Sequence, residues 1–560
     1  MLPISNTIET DLVVIGGGIG GLMAAISAAE QGTRVVVLEK ADTRRSGSGG
    51  GGCDHFFCYL PEVHGDNLDV IFQELMESQI GSCYDPLLTY QFMKKSASIV
   101  RKWQEWGINM KPYGDDFVFR GHAFPGRPRI WLKYDGHNQK AVLTQKARSL
   151  GVTILNHHAV LELLHDGTRA LGALALDNSR SEPSFVLVQS RCVMMASGTA
   201  SRLYTPMSTP STMFNTANSP ANAGAGHAQA LRAGARLVNF ELPYRHSGHK
   251  YWTRAGKGTW IGIFKYPDGT NVGPFITKAT KEVSDITSDV WNNVFTDMAR
   301  EGRAPIYMDC SQIDEEDFQC MMKDFESEGL TSFLNYMDKR HLDLRKQAVE
   351  FGQFEPYFLG RGVEIGVDGQ TTLPGLYAAG DVVGNVRGAI AGAAVYGWIC
   401  GESIGRSFRE LDIKPVADLD LTRERMEFFS SLYERESGAP WQEGNWGLQQ
   451  ILTDYAGAGP ERVRSETLLS AGLKTLRELR ELCRAEMKVS NSHELMRAAE
   501  VFDLLDVGEA IMLCARERRE TRGLHIRKDY PFTNPLYNKK LFYIERRNGE
   551  YVVGMRDKYK

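Results

Sequence analysis

The chain has 560 residues and 65 basic against 69 acidic side chains, a net charge of −4, with a pI near 6.4. That balance supplies no basic footprint for nucleic acid or an anionic membrane. An apolar content of 42% with 24% charged residues excludes a disordered chain and allows a large buried core divided among several domains.

The first signal in chain order is Asp11–Gly16, a β-rich run that breaks at glycines. Helix formers follow from Leu22 until Gly32, and then a second β-branched run, Thr33–Glu39. Strand, glycine turn, helix and strand within about 30 residues predict a parallel βαβ unit. Residues 41–60 read as a glycine-rich loop and 84–150 largely as helix. Four runs between 151 and 195 (VTIL, AVLELL, ALGALAL, FVLVQ) predict a β-meander returning to the parallel sheet. Residues 235–350 change texture, with more Trp, Asp and Met, and suggest an inserted α+β domain. GLYAAGDVVG at 375–384 restores the strand-then-glycine pattern, and a small-residue helix follows. Long amphipathic patterns at 420–520 predict a helical bundle. The last stretch is a basic, aromatic tail with two short strands, KLFYIERR and EYVVGM.

The expected fold class is therefore α/β. Residues 1–234 form the first part of a dinucleotide-binding domain, 235–350 a capping domain, 351–415 the second part of the first domain, 416–520 a helical domain and 521–560 the tail. The N-terminus has no basic n-region or cleavage site, and no run of about 18 apolar residues occurs. A cytoplasmic protein without a transmembrane segment is expected. The nine cysteines are odd in number, are scattered, and form no C-x-x-C, so they read as structural thiols with no metal site and no iron–sulfur cluster.

Of the 56 glycines, five lie at 16–21, five at 47–52 and eight at 375–405. Gly16-Gly-Gly18-Ile-Gly-Gly21 satisfies G-x-G-x-x-G: the first glycine permits the turn, the second lets a pyrophosphate approach a helix N-terminus, and the third lets helix pack on strand. Glu39, ending the second strand, is placed to accept hydrogen bonds from ribose hydroxyls and to repel a 2′-phosphate. Leu373-Pro-Gly375-Leu-Tyr-Ala-Ala-Gly380-Asp381 runs again from strand into a glycine turn, and Ala196-Ser197-Gly198 is a small-residue turn. These segments together resemble the FAD-binding pattern of glutathione-reductase-type flavoproteins. That resemblance implies FAD, with Lys40, Ser46, Gly47, Ser48, Gly51, Gly52 and Ala391 as further contacts. The three glycine clusters would then serve pyrophosphate, flavin side, and ribityl and ring.

VVIGGGIGGL, RSGSGGGG, ASGTASRLY, GAGHAQALRAGARLVNFE, REGRAPIYMD, LPGLYAAGDVVG and ETRGLHIRKDYP carry a wider resemblance, in content and order. They resemble the flavoprotein subunits of succinate dehydrogenase and fumarate reductase, with aspartate oxidase and adenylylsulfate reductase alpha. The alpha subunit of adenylylsulfate reductase is the most similar, through QEWG at 104–107, REGRAPIYMD and EPYFLG at 355–360. In the membrane-associated members a histidine after Arg-Ser bonds covalently to FAD; here Gly47 follows Ser46, which implies non-covalent FAD. The position of the family's proton-shuttling arginine falls near Ser288, and Tyr357-Phe-Leu-Gly-Arg361-Gly replaces the family's substrate stretch.

What remains for chemistry is a set of cations. The resemblance aligns His246 with a substrate-binding histidine, beside Arg245, while Arg361 and Arg387 flank the late FAD motif. Arginine forks pair bidentately with carboxylate, sulfonate or phosphate, so a small anionic substrate is expected. The resemblance also implies a ferredoxin-like iron–sulfur protein as electron partner, with the tail as one docking surface. The leading expectation is an FAD-dependent oxidoreductase similar to adenylylsulfate reductase alpha. A soluble fumarate-reductase-like reductase of an activated C=C bond, and an electron-transfer flavoprotein subunit without its own substrate, are the alternatives.

Overall fold

The computed structural model describes residues 1–77, 83–119, 129–206, 216, 218–245, 247–249, 264–272, 301–459 and 462–559. The expected βαβ unit is formed by the strand Ile4–Ile15, the helix Ile19–Ala29 and the strand Val35–Glu39. Leu12–Ile15 pairs in parallel with Val35–Leu38 on one side and with Cys192–Met195 on the other. The strands Thr153–Asn156, His158–His165, Ala170–Asp177 and Ser184–Met195 supply the meander, and Leu376–Ala378 adds a parallel strand beside Ser184–Met195. The result is one seven-stranded mixed sheet.

The helix Ile19–Ala29 has ten of its eleven residues buried. A helix apolar on every side needs cover on every side. The sheet covers one face and the small-residue helix Ala389–Ser407 covers another. Their backbones nearly touch: a Cβ on Gly397 would lie 2.4 Å from the Gly20 carbonyl oxygen, and one on Gly401 would lie 2.5 Å from that of Ala24. This corrects the expectation for the third glycine cluster. Gly397 and Gly401 join two helices and do not face a cofactor.

Within 235–350, the described strands Ser247–His249, Phe264–Lys265 and Ile306–Met308, together with Val349–Gln353, form a separate four-stranded antiparallel sheet. With the helices Glu315–Ser327 and Thr331–Arg340, this sheet encloses its own core, including Phe264, Met308, Met321, Phe325, Phe333 and Phe351. Asp314 begins the first of these helices by accepting the N–H of Asp317. Residues immediately after 234 belong elsewhere, however. Leu237–Val238 pairs with Gly362–Val363 and with Lys540–Arg547, and the latter forms a hairpin with Glu550–Asp557. The two strands expected in the tail are present, and they are woven into a sheet with residues about 300 positions earlier. The boundary expected at 235 therefore falls ahead of a strand that pairs with the tail.

Helices Asp420–Glu434, Trp441–Tyr455, Glu466–Glu486 and Ser492–Glu517 form the C-terminal helical part. Ser465 and Asn491 cap the last two by accepting the N–H groups of Leu468 and Glu494. The last helix is buried nearly all round because the other helices flank it on one side and the mixed sheet's strands and the helix Ala225–Arg232 on the other. No described helix is long and apolar enough to cross a membrane.

One buried carboxylate joins this helix to the βαβ unit. Glu500 accepts from Lys40 at 2.7 Å, Arg202 at 2.5 Å and Arg497 at 2.9 Å. Burial alone would push its carboxyl up; the cations, Lys40 first, hold it down at about 2. A folded value below the ordinary one of about 4.3 gives stability that is present above that value and is lost as pH falls through about 2. The variant Glu500→Gln is expected to lose about 3 kcal/mol at neutral pH, and the gap from the natural chain should close as pH drops toward 2. Denaturant melts between pH 7 and 3 check this; a pH-independent gap would contradict it.

Candidate cofactor cavity and cation cluster

A cavity of about 450 Å³ opens where the mixed sheet, the smaller α+β unit and the C-terminal helices meet. Its walls include Gly16, Gly18, Glu39, Lys40, Ser46, Gly47, Ser48, Gly52, Ala196, Ser197, Gly198, Gly380 and Asp381. Three residues expected with them do not line it. Gly21 is consumed by packing, since a Cβ there would sit 2.1 Å from the Gly16 carbonyl oxygen. Gly51 lies against Gly329, and Ala391 is buried in its helix.

The wall at 16–21 has the form a pyrophosphate needs. Gly16 takes φ +98°, and a Cβ on it would strike the Ala196 carbonyl oxygen at 2.5 Å. Gly18 differs: protein leaves 3.7 Å to its nearest atom, so the space its missing side chain preserves is on the cavity side. It begins the helix Ile19–Ala29 with no side-chain cap, which leaves first-turn N–H groups for an anion. Glu39 is held by two backbone donors, Gly17 N–H at 2.8 Å and Ala41 N–H at 2.9 Å. A carboxylate oxygen accepts more than one hydrogen bond, so this fixed group retains capacity for ribose hydroxyls.

Farther along, the buried Ser46 hydroxyl has no partner among the described residues. Gly47 has no protein atom within 4 Å of a Cβ position. Asp381 is oriented by accepting the Ala389 N–H at 2.6 Å at the start of the helix Ala389–Ser407. An orphaned hydroxyl, glycines open toward the cavity and an uncapped helix terminus around one elongated space fit a dinucleotide. Lys140 was not expected: its ammonium holds the Gly17 carbonyl oxygen from behind the turn. Burial pushes it down to about 8 despite Glu39 and Asp42 nearby.

Of the expected catalytic cations, the described ones, Arg245, Arg361 and Arg387, lie outside the cavity lining. Arg245 is buried and donates to the Phe354 carbonyl at 2.7 Å. Arg361 donates to the carbonyls of Leu242 at 2.7 Å and Gly360 at 2.8 Å. Their two segments are joined by paired backbone hydrogen bonds between Tyr244 and Tyr357, both 2.9 Å. Arg387 stands over the rings of Trp131 at 4.8 Å and Phe57 at 5.2 Å, and its Nε has no hydrogen-bond partner among the described residues. His246 and the position at Ser288 lie outside the described residues.

Sequence reasoning missed Tyr84, which joins these arginines. Burial pushes its phenol up, while Arg361 and Arg387 draw it back, and the Arg361 guanidinium lies 5.6 Å from its ring. Its hydroxyl would lie 2.6 Å from a Cβ on Gly360, next in the chain to Leu359, which lines the cavity together with Tyr357, so this buried phenol and Arg361 stand close to the cofactor space. No local motif marks Tyr84, because its partners lie about 280 residues later.

Comparison with known proteins agrees with this geometry. The family model described as FAD binding domain matches residues 11–395, and that described as fumarate reductase flavoprotein C-term matches 447–556. The chain is 24% identical to a chain of the CoM/CoB fumarate reductase of Methanothermobacter marburgensis, over 98% of this chain and 99% of that one. It is likewise 24% identical to L-aspartate oxidase of Vibrio cholerae, over 93% and 96%. Among solved structures, adenylylsulfate reductase from Archaeoglobus fulgidus superposes with a TM-score of 0.86 at 21% identity, covering 100% of this chain and 97% of that one. E. coli quinol fumarate reductase gives 0.81 at 19%, covering 99% and 97%. The two family matches and the full-length relatives, together with a cavity built for a dinucleotide, lead to one conclusion: the chain belongs to the fumarate reductase and succinate dehydrogenase family of FAD-dependent flavoprotein oxidoreductases.

Proposed function

We propose that this flavoprotein oxidises or reduces a small anionic substrate, holds FAD without a covalent bond and exchanges electrons with an iron–sulfur partner. The observation that carries the substrate class is the grouping of Tyr84, Arg361 and Arg387 close to the Tyr357–Leu359 wall. FAD supplies two-electron chemistry at its ring, and the protein's part is orientation, positive charge and protons. Gly18, the helix terminus at Ile19 and Glu39 would hold the pyrophosphate and ribose. Ser46, Gly47 and Asp381 would hold the remainder.

Arg361 is fixed by two backbone carbonyls, so its charge is preorganised and needs little rearrangement when an anion arrives. Arg387 rests on two aromatic faces, which hold a guanidinium without neutralising it. A carboxylate or sulfur oxyanion drawn to this pair would sit against the cavity wall. Arg245 positions the Phe354 carbonyl and with it the adjoining lining residues.

The non-covalent reading rests on the loop Arg45–Gly49, which lines the cavity with Arg, Ser, Gly, Ser and Gly and presents no histidine. The iron–sulfur partner is inferred from likeness to flavoprotein subunits. Adenylylsulfate reductase-like chemistry is favoured by the superposition over the full chain. The full-length relatives named fumarate reductase and L-aspartate oxidase support the second reading, reduction of an activated C=C bond.

Two measurements test this. With an artificial electron donor and a screen of small dicarboxylates and sulfur oxyanions, Arg361→Ala and Arg387→Ala should each lower kcat/KM about 100-fold, roughly 3 kcal/mol, with FAD content unchanged. Unaltered turnover would remove both from the site, and a flavin that no anion reoxidises would favour an electron-transfer role. Acid precipitation should release all flavin into the supernatant; a yellow pellet would overturn the non-covalent assignment.

A further inference from the structure

At the end of the cavity nearest the smaller α+β unit lies a cluster that the cofactor does not explain. Cys53, Asp54, His55 and Glu328 each offer one ligand atom, and these four atoms lie within 4.8 Å of one another. Cys53, Asp54 and His55 are 4%, 5% and 8% exposed. Cys53 and Glu328 also line the cavity, which gives the cluster an entry path.

The backbone is built to bring these residues together. A Cβ on Gly52, at φ +118°, would meet the Ser327 carbonyl oxygen at 2.3 Å, and one on Gly329 would meet that of Gly51 at 1.9 Å. The second half of the glycine loop is thus pressed against the turn that carries Glu328. On the other side the Cys53 and Asp54 carbonyls accept the N–H groups of Gly136 and Tyr134, both at 3.0 Å. His55 pairs with Lys133 across two short strands, His55–Phe57 and Trp131–Lys133, and its ring meets the Trp131 edge at 5.0 Å.

Charge gives a second, independent indication. Lys133 Nζ lies 2.5 Å from Asp54 and 2.6 Å from Asp324, and Glu328 stands 3.9 Å from His55 Nδ1. His55 Nδ1 also lies 2.5 Å from Asp54 Oδ1, so three carboxylates share one ammonium and one imidazole where little water reaches; with the imidazole neutral, as it is in a metal ligand, the group carries two net negative charges. A divalent cation would cancel them.

We propose that Cys53, Asp54, His55 and Glu328 form a binding site for a zinc-class divalent transition metal. One sulfur, one imidazole nitrogen and two carboxylate oxygens are a borderline-soft set that suits zinc and disfavours magnesium or calcium. Tetrahedral zinc sets ligand atoms about 3.3–3.8 Å apart, so pairs near the 4.8 Å limit would close by about 1 Å and the Asp54–His55 pair, now at 2.5 Å, would open by about as much. Binding replaces the Cys53 thiol proton, which leaves to solvent, with the metal. Asp54 would use one oxygen as ligand while the other keeps Lys133, an outer partner of the kind that orients metal ligands. The metal would clamp the glycine loop, on the cofactor side, to the smaller α+β unit.

The test uses the full-length protein, stripped with a chelator, titrated with zinc chloride, desalted and measured for metal. About one equivalent is expected. Cobalt chloride in place of zinc should give a thiolate-to-cobalt charge-transfer absorption. Cys53→Ser should abolish that absorption, and both Cys53→Ser and His55→Ala should weaken zinc binding at least tenfold against a chromophoric chelator. Substoichiometric zinc in the natural protein, absence of the cobalt–thiolate band, or equal zinc affinity in the variants would each overturn the assignment. The cobalt spectrum of the natural protein decides the matter even if a variant does not fold.

Discussion

Backbone contact without intervening side chains is the constraint on which this structure rests. The helix Ile19–Ala29 must touch Ala389–Ser407 closely enough that Gly397 meets the Gly20 carbonyl. At the same helix's start, Gly16 must touch the Ala196 carbonyl. These approaches fix the distance between the first glycine turn and the late one, so they set the width of the cavity proposed for FAD. Larger side chains at the helix seam would spread the walls even where they never touch the cofactor. Overpacking of this kind also costs stability in its own right.

Much of the frame was legible because its signals are local. Apolar runs between 151 and 195 predict four strands, and four are present. The Gly16–Gly21 spacing with Glu39 predicts a phosphate-facing turn, and Gly18 alone among its principal glycines is left open toward the cavity while Gly21 is spent on packing. What the sequence did not show is which distant segments meet. The Gly47–Gly52 run reads as a single stretch on the flavin side, yet Gly51 is pressed on Gly329 and Gly52 on Ser327. Leu237–Val238 looks like the start of an insertion, yet it pairs with the tail. Glycine announces that something is near; it carries no information about what that neighbour is.

The cations show the same limit from the side of chemistry. Composition marks arginine as an anion binder, but a buried arginine also satisfies carbonyls. Arg245 and Arg361 do so, and Arg556 in the tail is taken up by Asp85 and Glu364. Arg387 is distinguished by resting on Trp131 and Phe57, and its Nε has no hydrogen-bond partner among the described residues. The free cysteines divide in a similar way. Burial lifts Cys192 and Cys310 to about 12, which makes them inert core residues, whereas Cys53 stands in the cavity wall among a histidine and carboxylates.

The cavity draws residues from the first fifty positions and again from Met496 to Asp503, and Lys40 is bound to Glu500. A ribosome delivers these walls in order, so the nucleotide-binding turn emerges long before the helix that closes it. The strand Leu237–Val238 waits longer still for its partner at Lys540–Arg547. Capture of the flavin in its finished setting is therefore a late event in the life of each molecule. It follows synthesis of nearly the whole polypeptide, and until then the early glycine turn is a half-built site with its far wall still to come.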